Sequence, residues 1–320
     1  MKPVRIVALL LLWLACASAM AQQYPSRPLR LIVTFPPGGI TDFTGRILAP
    51  RLAEALGQPV IVENKTGSGG NIGTDFVAKA APDGHTLLVV APPNAINVTL
   101  YKTLPFDTRR DLAPIVLVGS VPNVLVVGPK TPAKTVQELV DFARSNPGKL
   151  NFASNGTGTS IQLSSELMKM QGKFSAVHVP YRGAPAATAA LLAGDVDFMF
   201  DSLSVSLPHI RAGKIRALAV SSRTRSALLP ETPTMIEGGF PEFETTGWTG
   251  MMTTGGTPPA VIARLEAELM KILAMPDVIS AFEKPGMHLR SANAREFAGF
   301  FDQEIKRWSA AVKHSGAQAD

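Results

Sequence analysis

Short apolar runs alternate with amphipathic stretches along most of this chain. Continuous runs of valine, leucine and isoleucine, such as those at 29–35 and 86–91, are typical of strands buried on both faces of a parallel sheet. The stretches between them repeat apolar residues every three or four positions, which predicts helices. The predicted strands lie at 29–35, 60–63, 86–91, 123–127, 150–153, 176–179, 196–200, 215–220 and 248–252, and the predicted helices at 41–56, 74–81, 136–145, 160–171, 185–193, 205–212, 259–273 and 294–314, with a turn near 276–284.

This alternation of strands and helices predicts an α/β fold of βαβ units on parallel sheets covered by helices. A chain of 320 residues exceeds what one hydrophobic core usually organises, so we expect two lobes. We place lobe one at 22–120 plus 244–320 and lobe two at 121–243. The chain then crosses twice between the lobes, which makes a hinge with a ligand cleft beside it.

The first residues have the composition of an export signal. Lys2 and Arg5 precede an uncharged apolar run at 6–17, and a small-x-small cleavage pattern follows. We therefore assign 1–21 as a signal peptide, because the run is too short to span a bilayer comfortably. Cys16 is the single cysteine and is an alternative site of lipid attachment. If it is removed with the signal, the mature chain has no thiol for catalysis or metal binding.

Charge and histidine spacing exclude several classes of function. The net charge of +6 is dispersed, with few aromatic residues, which argues against nucleic-acid binding. The five histidines lack metal-ligand spacing, and no G-x-S-x-G motif occurs. We expect no metal, no cofactor and no enzymatic activity. A hydrolase with Ser, His and Asp drawn from distant positions remains an alternative.

Two glycine-bearing turns each connect an apolar strand to a helix, at 36–39 and 154–160. Glycine lets the backbone turn sharply with its N–H groups uncovered, and a helix start offers unpaired N–H groups under a positive dipole end. Each turn is therefore a candidate anion site, and two of them predict one anionic ligand held between two lobes. Thr41 or Asp42 is expected to cap the helix of the first turn, and the alternative role of Asp42 is to orient waters or polar groups of the ligand. The second turn lacks the P-loop lysine and the third glycine of the dinucleotide fingerprint, which disfavours a nucleotide.

Further candidates follow other strands, because ligands of open α/β sheets bind beyond the carboxyl ends of the strands. Tyr181 and Asp201 are expected to supply hydrogen bonds and specificity, and a loop at 91–95 is expected to reach the far end of the ligand. Arg182 is either a surface residue or a partner for a ligand carboxylate. The candidate ligand-binding residues are Phe35, Pro37, Gly38, Gly39, Ile40, Thr41, Asp42, Pro92, Asn94, Asn155, Gly156, Thr157, Gly158, Thr159, Ser160, Tyr181, Gly183 and Asp201.

The chain resembles the Bug family of periplasmic solute receptors, the binding components of tripartite tricarboxylate transporters. The resemblance rests on short motifs in the family's order at 24–28, 35–42, 62–64, 69–73, 80–84, 177–183, 211–220 and 229–234. It implies a type II periplasmic-binding-protein fold that holds a ligand carboxylate with the two helix-opening loops and ordered waters. The implied ligands are amino-acid carboxylates, di- and tricarboxylates and aromatic carboxylates.

The resemblance also implies two integral-membrane transporter subunits as partners of a periplasmic receptor, which we expect to be monomeric. Presentation of the liganded form to a membrane sensor kinase is an alternative with the same fold. Ile40 is bulkier than the proline or alanine often found at that position in the family, which implies a narrower pocket.

Overall fold

A ten-stranded mixed sheet with helices on its faces forms the framework of the protein. The computed structural model describes residues 24–315, 317 and 319, so the predicted signal peptide and Cys16 lie outside the described residues. The strands are β1 (Leu29–Val33), β2 (Val60–Asn64), β3 (Thr86–Val90), β4 (Leu112–Val127), β5 (Asn151–Ser154), β6 (Val177–Pro180), β7 (Phe198–Ser202), β8 (Arg216–Val220), β9 (Thr246–Thr254) and β10 (His288–Asn293).

The helices occupy the connections between these strands. They are α1 (Ile40–Leu56), α2 (Asn71–Ala78), α3 (Pro92–Leu100), α4 (Val136–Ser145), α5 (Ser160–Gly172), α6 (Ala184–Ala193), α7 (Leu203–Arg211), α8 (Pro259–Leu273), α9 (Pro276–Glu283) and α10 (Ala294–Ser315), with a short 3-10 turn at Ser68–Gly70 before α2.

Strand β4 runs through both lobes of the molecule. Its first part pairs with β9 and β10, and the pairing with β9 ends at Pro122 opposite Thr246. From Asn123 onward its partners are β7 and β8. The strand order β2-β1-β3-β9-β4-β7-β5-β6 therefore joins two halves through one continuous strand. The change of partners at Asn123 lies at one end of the segment 119–123, where the sequence predicts the first crossing.

The expectation of wholly parallel sheets is wrong. Parallel pairing holds for β1 with β2 and β3, and for β5 with β6 and β7. Strand β9 is antiparallel to β3, and β4 is antiparallel to β7, β8, β9 and β10. The two strands that connect the lobes, β4 and β9, run opposite to the strands beside them, and the apolar pattern of a strand does not encode its direction.

Four elements also differ from the prediction. The expected loop after β3 is helix α3, and the expected turn near 276–284 is helix α9. Both helices place proline in their first turn, where its missing N–H costs nothing. Strand β10 and the part of β4 before Asn123 were not predicted. Most residues of β10 are exposed or half-buried, so it lacks the apolar run that marks a buried strand.

Packing against the sheet holds the start of helix α1 beside the end of β1. Leu48 and Leu52 are fully buried against the sheet, and each such side chain contributes about 1.5–3 kcal/mol. A Cβ at Gly45 would lie 3.2 Å from Cγ2 of Val33, so glycine allows the helix to approach β1 closely. The opposite face of this lobe packs against α10 through an aromatic cluster that includes Trp248. Lobe two has one separate core, and the core around Leu48 also continues into lobe two.

Within residues 24–315, 317 and 319, none of the helices combines the length and the hydropathy needed to cross a membrane.

Candidate functional site

The first predicted loop connects β1 to α1 through Gly38 and Gly39. Gly38 adopts a φ of +92°, which glycine tolerates without strain. Gly39 is the N-cap in extended conformation, and no side chain caps the helix. The prediction that Thr41 or Asp42 is the capping residue is therefore wrong. The Asp42 carboxylate instead accepts the N–H of Gly38 at 3.1 Å, one residue before the cap.

A charged network fixes the shape of this first loop. The carboxylate of Asp42 also accepts hydrogen bonds from Nε of Arg46 at 2.9 Å and from Nδ2 of Asn64 at 3.0 Å. Asn64 donates to the carbonyl oxygen of Phe35 at 2.9 Å as well. Burial alone would raise the pKa of Asp42, but the bonds from Arg46, Asn64 and the Gly38 backbone lower it below its ordinary value. Asp42 is thus ionised, and its hydrogen bonds hold the loop in shape.

Several donors at the start of α1 have no acceptor among the described residues. The first hydrogen bond of the helix runs from the N–H of Phe43 to the carbonyl of Gly39, which leaves the preceding N–H groups of Ile40 and Thr41 without intrahelical partners. The hydroxyl of Thr41 has no protein partner either, although the residue is only 2% exposed.

The second predicted loop connects β5 to α5 through a neutral network. Thr159 is the N-cap, and its hydroxyl accepts the N–H of Gln162 at 3.3 Å. The Oε1 atom of Gln162 in turn accepts the N–H of Gly158 at 2.8 Å. The hydroxyl of Ser154 donates to the carbonyl of Gly156 at 3.0 Å. These bonds hold the turn without any ionised group.

Ser154 also contacts a histidine, but the pair does not resemble a nucleophile with its base. Its Oγ lies 2.7 Å from Nε2 of His178, which stacks on Phe152. Burial, with a smaller contribution from Lys169, lowers the pKa of His178 to about 4, so the ring is neutral near pH 7. Ser154 is fully buried and already bonded within its own loop. The pair therefore belongs to the scaffold of the second loop.

Both loops face one small cavity between the lobes, which we call the inner cavity. Its volume of about 40 Å³ corresponds to space for one or a few waters. No ionisable side chain lines it. The inner cavity is lined by Phe35, Pro36, Gly39, Ile40, Thr41, Ala91, Pro92, Pro93, Asn155, Thr159, Ser160, Ile161, Ala184, Ser202, Gly247 and Trp248.

A larger outer cavity of about 510 Å³ adjoins the inner one and shares Phe35, Pro36 and Asn155 with it. Its remaining walls come from the Thr66–Gly70 turn, Tyr101 and the segment after β6. Of the residues that the structure describes, Arg182 is the one basic residue lining the outer cavity, and none of them forms an ion pair with its exposed side chain. The predicted residues that line only the outer cavity are Gly156, Thr157, Tyr181 and Gly183.

The remaining predicted residues line neither cavity: Pro37, Gly38, Asp42, Asn94, Gly158 and Asp201. Asn94 has a structural task, since its Oδ1 accepts the N–H of Ala91 at 3.0 Å and its Nδ2 donates to Thr74 at 2.9 Å. It thereby closes the first turn of α3 rather than reaching a ligand.

The sequence predicts Asp201 in the cleft, but its side chain lines neither cavity. Asp201 is fully buried and accepts the N–H of Ser202 at 2.8 Å and the hydroxyl of Ser206 at 2.6 Å. Burial raises the pKa of Asp201 to about 7, against the smaller lowering effect of these bonds. Ser202 lines the inner cavity instead. Successive side chains of a strand point to opposite faces of the sheet. The sequence does not show which of the two side chains at the end of β7 faces the cavity, and Ser202 was therefore missed.

Three hydroxyl groups in the inner cavity have no protein partner among the described residues, namely those of Thr41, Ser160 and Ser202. They come from three elements and from both lobes. The Oδ1 atom of Asn155 is likewise buried without a partner. A buried amide oxygen is normally paired, so Asn155 marks a place for water or ligand beside the three hydroxyl residues that line the cavity. Neutral donors around one cavity suit a carboxylate, whose oxygens accept only.

The lobes touch across the cleft at four glycines with positive φ. A Cβ at Gly38 would lie 3.2 Å from Cγ of Pro185, and one at Gly183 would lie 2.9 Å from Cγ of Pro36. At Gly69 the nearest atom is the carbonyl oxygen of Thr157, at 2.8 Å. A Cβ at Gly158 would lie 2.4 Å from Oδ1 of Asn97. These glycines allow the two lobes to approach closely, to a backbone atom at Gly69 and to side-chain atoms at the other three positions.

No group of three or more histidine, cysteine, aspartate or glutamate side chains is placed to hold a metal ion within the described part of the chain.

Two α/β lobes, a hinge strand and a shared cavity of neutral donors define a solute-binding receptor of the periplasmic-binding-protein class. Residues 44–317 match the family model described as "Tripartite tricarboxylate transporter family receptor". The chain therefore belongs to this family, which includes the Bug proteins, and the resemblance seen in the sequence is confirmed. The members of this family are receptors and not enzymes.

Curated and solved relatives agree with this assignment. Protein BugT of Bordetella pertussis (strain Tohama I) is 38% identical over 324 residues, covering 99% of each chain. A structure described as "R. palustris Rpa4515 with adipate" has a TM-score of 0.89 at 31% identity, covering 92% of this chain and 99% of that one. MatC (Rpa3494) from Rhodopseudomonas palustris with bound malate has a TM-score of 0.86 at 32% identity, covering 90% and 100%. The chain is accordingly a solute-binding receptor.

Proposed function

We propose that this protein is an exported periplasmic receptor that captures one small carboxylate and delivers it to the two integral-membrane subunits of a tripartite tricarboxylate transporter. The observation that carries the proposal is the inner cavity, where unpartnered donors from both lobes converge without a basic side chain. The relatives solved with adipate and malate support a carboxylate as the ligand.

In this proposal the ligand carboxylate bridges the two helix starts. Its oxygens accept from the N–H groups at the start of α1, from the hydroxyl of Thr41 and, across the cleft, from Ser160 and Ser202. Ordered waters fill the remaining positions, and one of them donates to the free Oδ1 of Asn155. The body of the ligand extends toward the outer cavity, which has room for it.

The magnitudes show why lobe closure is needed. A helix terminus contributes about 0.3–1 kcal/mol to an exposed anion and up to ~2 kcal/mol to a partly buried one. Micromolar affinity needs about 8 kcal/mol. Hydrogen bonds to a charged group add about 1.5–3 kcal/mol each, and a site closed against water strengthens them. Capture therefore requires contributions from both loops at once.

We propose that the closing bodies are lobe one (22–120 and 244–320) and lobe two (121–243). The four glycine contacts across the cleft support this division, because each pairs a residue of one lobe with a residue of the other. The closed receptor would then act as a monomer that presents a ligand-dependent surface to the membrane subunits.

A thermal-shift experiment tests the proposal. The mature protein is heated with malate, succinate, adipate, benzoate or glutamate, and with the corresponding neutral amides as controls. A carboxylate present at 100 times its Kd should stabilise the protein by about 2.7 kcal/mol, which corresponds to a rise in Tm of about 5 °C or more. Equal shifts for acids and amides would contradict a carboxylate receptor.

Delivery to a transporter has its own test. A strain that lacks the receptor should lose uptake of the radiolabelled carboxylate, and a strain that lacks the membrane subunits should lose it to the same extent. Unchanged uptake in both strains, with binding retained in vitro, would refute delivery and leave the receptor assignment intact.

A further inference from the structure

Trp248 lies between the inner cavity and a second cavity on the rear of the hinge. It lines the inner cavity together with Gly247. It also lines the rear cavity, which measures about 560 Å³ and includes Thr246 and Glu304. Alternation along β9 places Thr246 and Trp248 on the same face of the strand, so the indole belongs to the side of helix α10.

A buried glutamate fixes this indole. Oε2 of Glu304 accepts Nε1 of Trp248 at 2.7 Å and Nε1 of Trp308 at 2.8 Å, and Glu304 is only 4% exposed. The nearest cation, Arg307, lies 3.3 Å from the other carboxylate oxygen. Burial of a carboxylate is costly unless donors satisfy it. The two indole N–H groups meet that requirement here.

Aromatic packing completes the support of Trp248. Phe297, Phe300 and Phe301 of α10 contact its ring edge to face, with centroids 5.4 to 6.0 Å away. Together with the bond to Glu304, these contacts leave the indole a single position, which is the property expected of a rigid wall.

We propose that Trp248 is a specificity-determining wall of the inner cavity and that Glu304 is the residue that positions it. This inference rests on the proposed function. A rigid wall fixes how deeply the carboxylate and the atoms attached to it can enter the inner cavity before the body of the ligand turns toward the outer cavity. Replacement by the smaller phenylalanine opens space toward the rear cavity and shifts preference toward bulkier carboxylates.

Trp308 provides a matched control. Its indole donates to the same oxygen of Glu304 and it is 1% exposed, against 2% for Trp248. Trp308 lines neither the inner cavity nor the rear cavity. Trp248→Phe and Trp308→Phe therefore remove equivalent hydrogen bonds from the same carboxylate, but only the first alters the cavity.

The experiment measures Kd for succinate, adipate and benzoate by calorimetry in the parent protein and both variants. Trp248→Phe should change the affinity ratio of benzoate to succinate by about 10-fold in favour of benzoate, whereas Trp308→Phe should change it by less than about 2-fold. Glu304→Gln, which keeps an acceptor oxygen for both indoles, should preserve the parent ratio.

Fluorescence gives a second readout that a purely structural role would not produce. In the mature protein Trp308→Phe leaves Trp248 as the single tryptophan, so its emission should change when a binding carboxylate is added, and Trp248→Phe should abolish the change. If the two variants have the same affinity ratio of benzoate to succinate and the emission of Trp248 does not change, the role of Trp248 is overturned while the proposed function stands. Absence of carboxylate binding in the parent protein would overturn the proposed function itself.

Discussion

The two loops that face the inner cavity have the same plan but are held by different chemistry. In the first, the ionised carboxylate of Asp42 binds Arg46, Asn64 and the Gly38 backbone. In the second, uncharged hydroxyl and amide groups of Ser154, Thr159 and Gln162 form the hydrogen bonds that hold the loop. A carboxylate in the first turn of a helix competes with a bound anion for the same dipole.

This difference shows how the first loop can carry an acid beside an anion site. Arg46 neutralises Asp42 locally, and the carboxylate points to the loop's own N–H rather than into the cavity. The second loop needs no such compensation because its network is neutral. In the proposed anion site, the two loops thus present their donors to one cavity although different groups hold each loop.

The largest expected effect comes from Gly158→Ala. The new Cβ would collide with Asn97 across the cleft and prevent full closure, so we expect carboxylate affinity to fall at least 30-fold, about 2 kcal/mol. Gly213→Ala is the control, because Gly213 also has positive φ but no atom within 4 Å of the Cβ position. Calorimetry and melting curves compare the two. Equal losses of affinity would show that closure does not depend on this contact.

A group outside both loops should dominate the pH dependence of stability. The pKa of Asp201 is raised to about 7 in the folded state, so its protonated form contributes stability below its ordinary pKa, and this contribution is lost as pH rises through about 7. Asp201→Asn should flatten the decline between about pH 4 and pH 7 by of order 1 kcal/mol per pH unit.

Urea unfolding of the parent and of Asp201→Asn at several pH values measures this effect. If the free energy of unfolding changes with pH in the same way in the two proteins, the raised pKa of Asp201 is contradicted. Ligand affinity should stay nearly constant between about pH 6 and pH 8, where the ligand carboxylate is ionised, since the pKa of Asp42 is lowered and that of His178 is about 4.

Single hydroxyl deletions should weaken binding on either side of the cleft to a similar degree. Thr41→Val and Ser160→Ala each remove one donor to the ligand, and each should raise Kd about 5-fold, or about 1 kcal/mol. Thr44→Val and Ser164→Ala are matched controls, because these hydroxyls bond within the protein at the next turn of the same helices. The controls should lower Tm and leave Kd within about 2-fold. A loss confined to one loop would show that the loops do not share the ligand.

The smallest effect on ligand affinity is expected from Asp42, whose carboxylate stabilises the first loop. Asp42→Asn removes the charge that Arg46 neutralises but keeps an acceptor for the Gly38 N–H, so Kd should rise about 2- to 3-fold. Asp277→Asn breaks an exposed ion pair with Arg51 and should leave Kd unchanged. Calorimetry at pH 7 measures the Kd of both variants. An affinity gain in Asp42→Asn would mean that the carboxylate repels the ligand.

The fold was largely readable from the sequence because buried strands and amphipathic helices leave strong periodic signals. The failures have physical reasons. Proline at the start of α3 resembles a loop signal, although proline is also favoured in the first turn of a helix. The exposed strand β10 carries no apolar pattern. Strand direction depends on long-range topology, which local periodicity does not encode.

The site was predictable at the level of loops rather than side chains. Glycine turns before helices marked both sides of the cleft, and Thr41 and Ser160 do line the inner cavity. Asp201 was predicted instead of Ser202, because a shift of one residue along a strand moves the side chain to the opposite face of the sheet. Trp248 was assigned only to a strand, since its position depends on a contact with Glu304 from the far end of the chain.

The most direct test of the account is a calorimetric titration of the mature protein with adipate and with adipamide under identical conditions. If main-chain and hydroxyl donors of both loops capture a carboxylate, a carboxylate that fits the site must bind far more tightly than its neutral amide; for this pair we expect at least a 100-fold difference in Kd, about 2.7 kcal/mol. Equal binding of the acid and the amide would contradict the account.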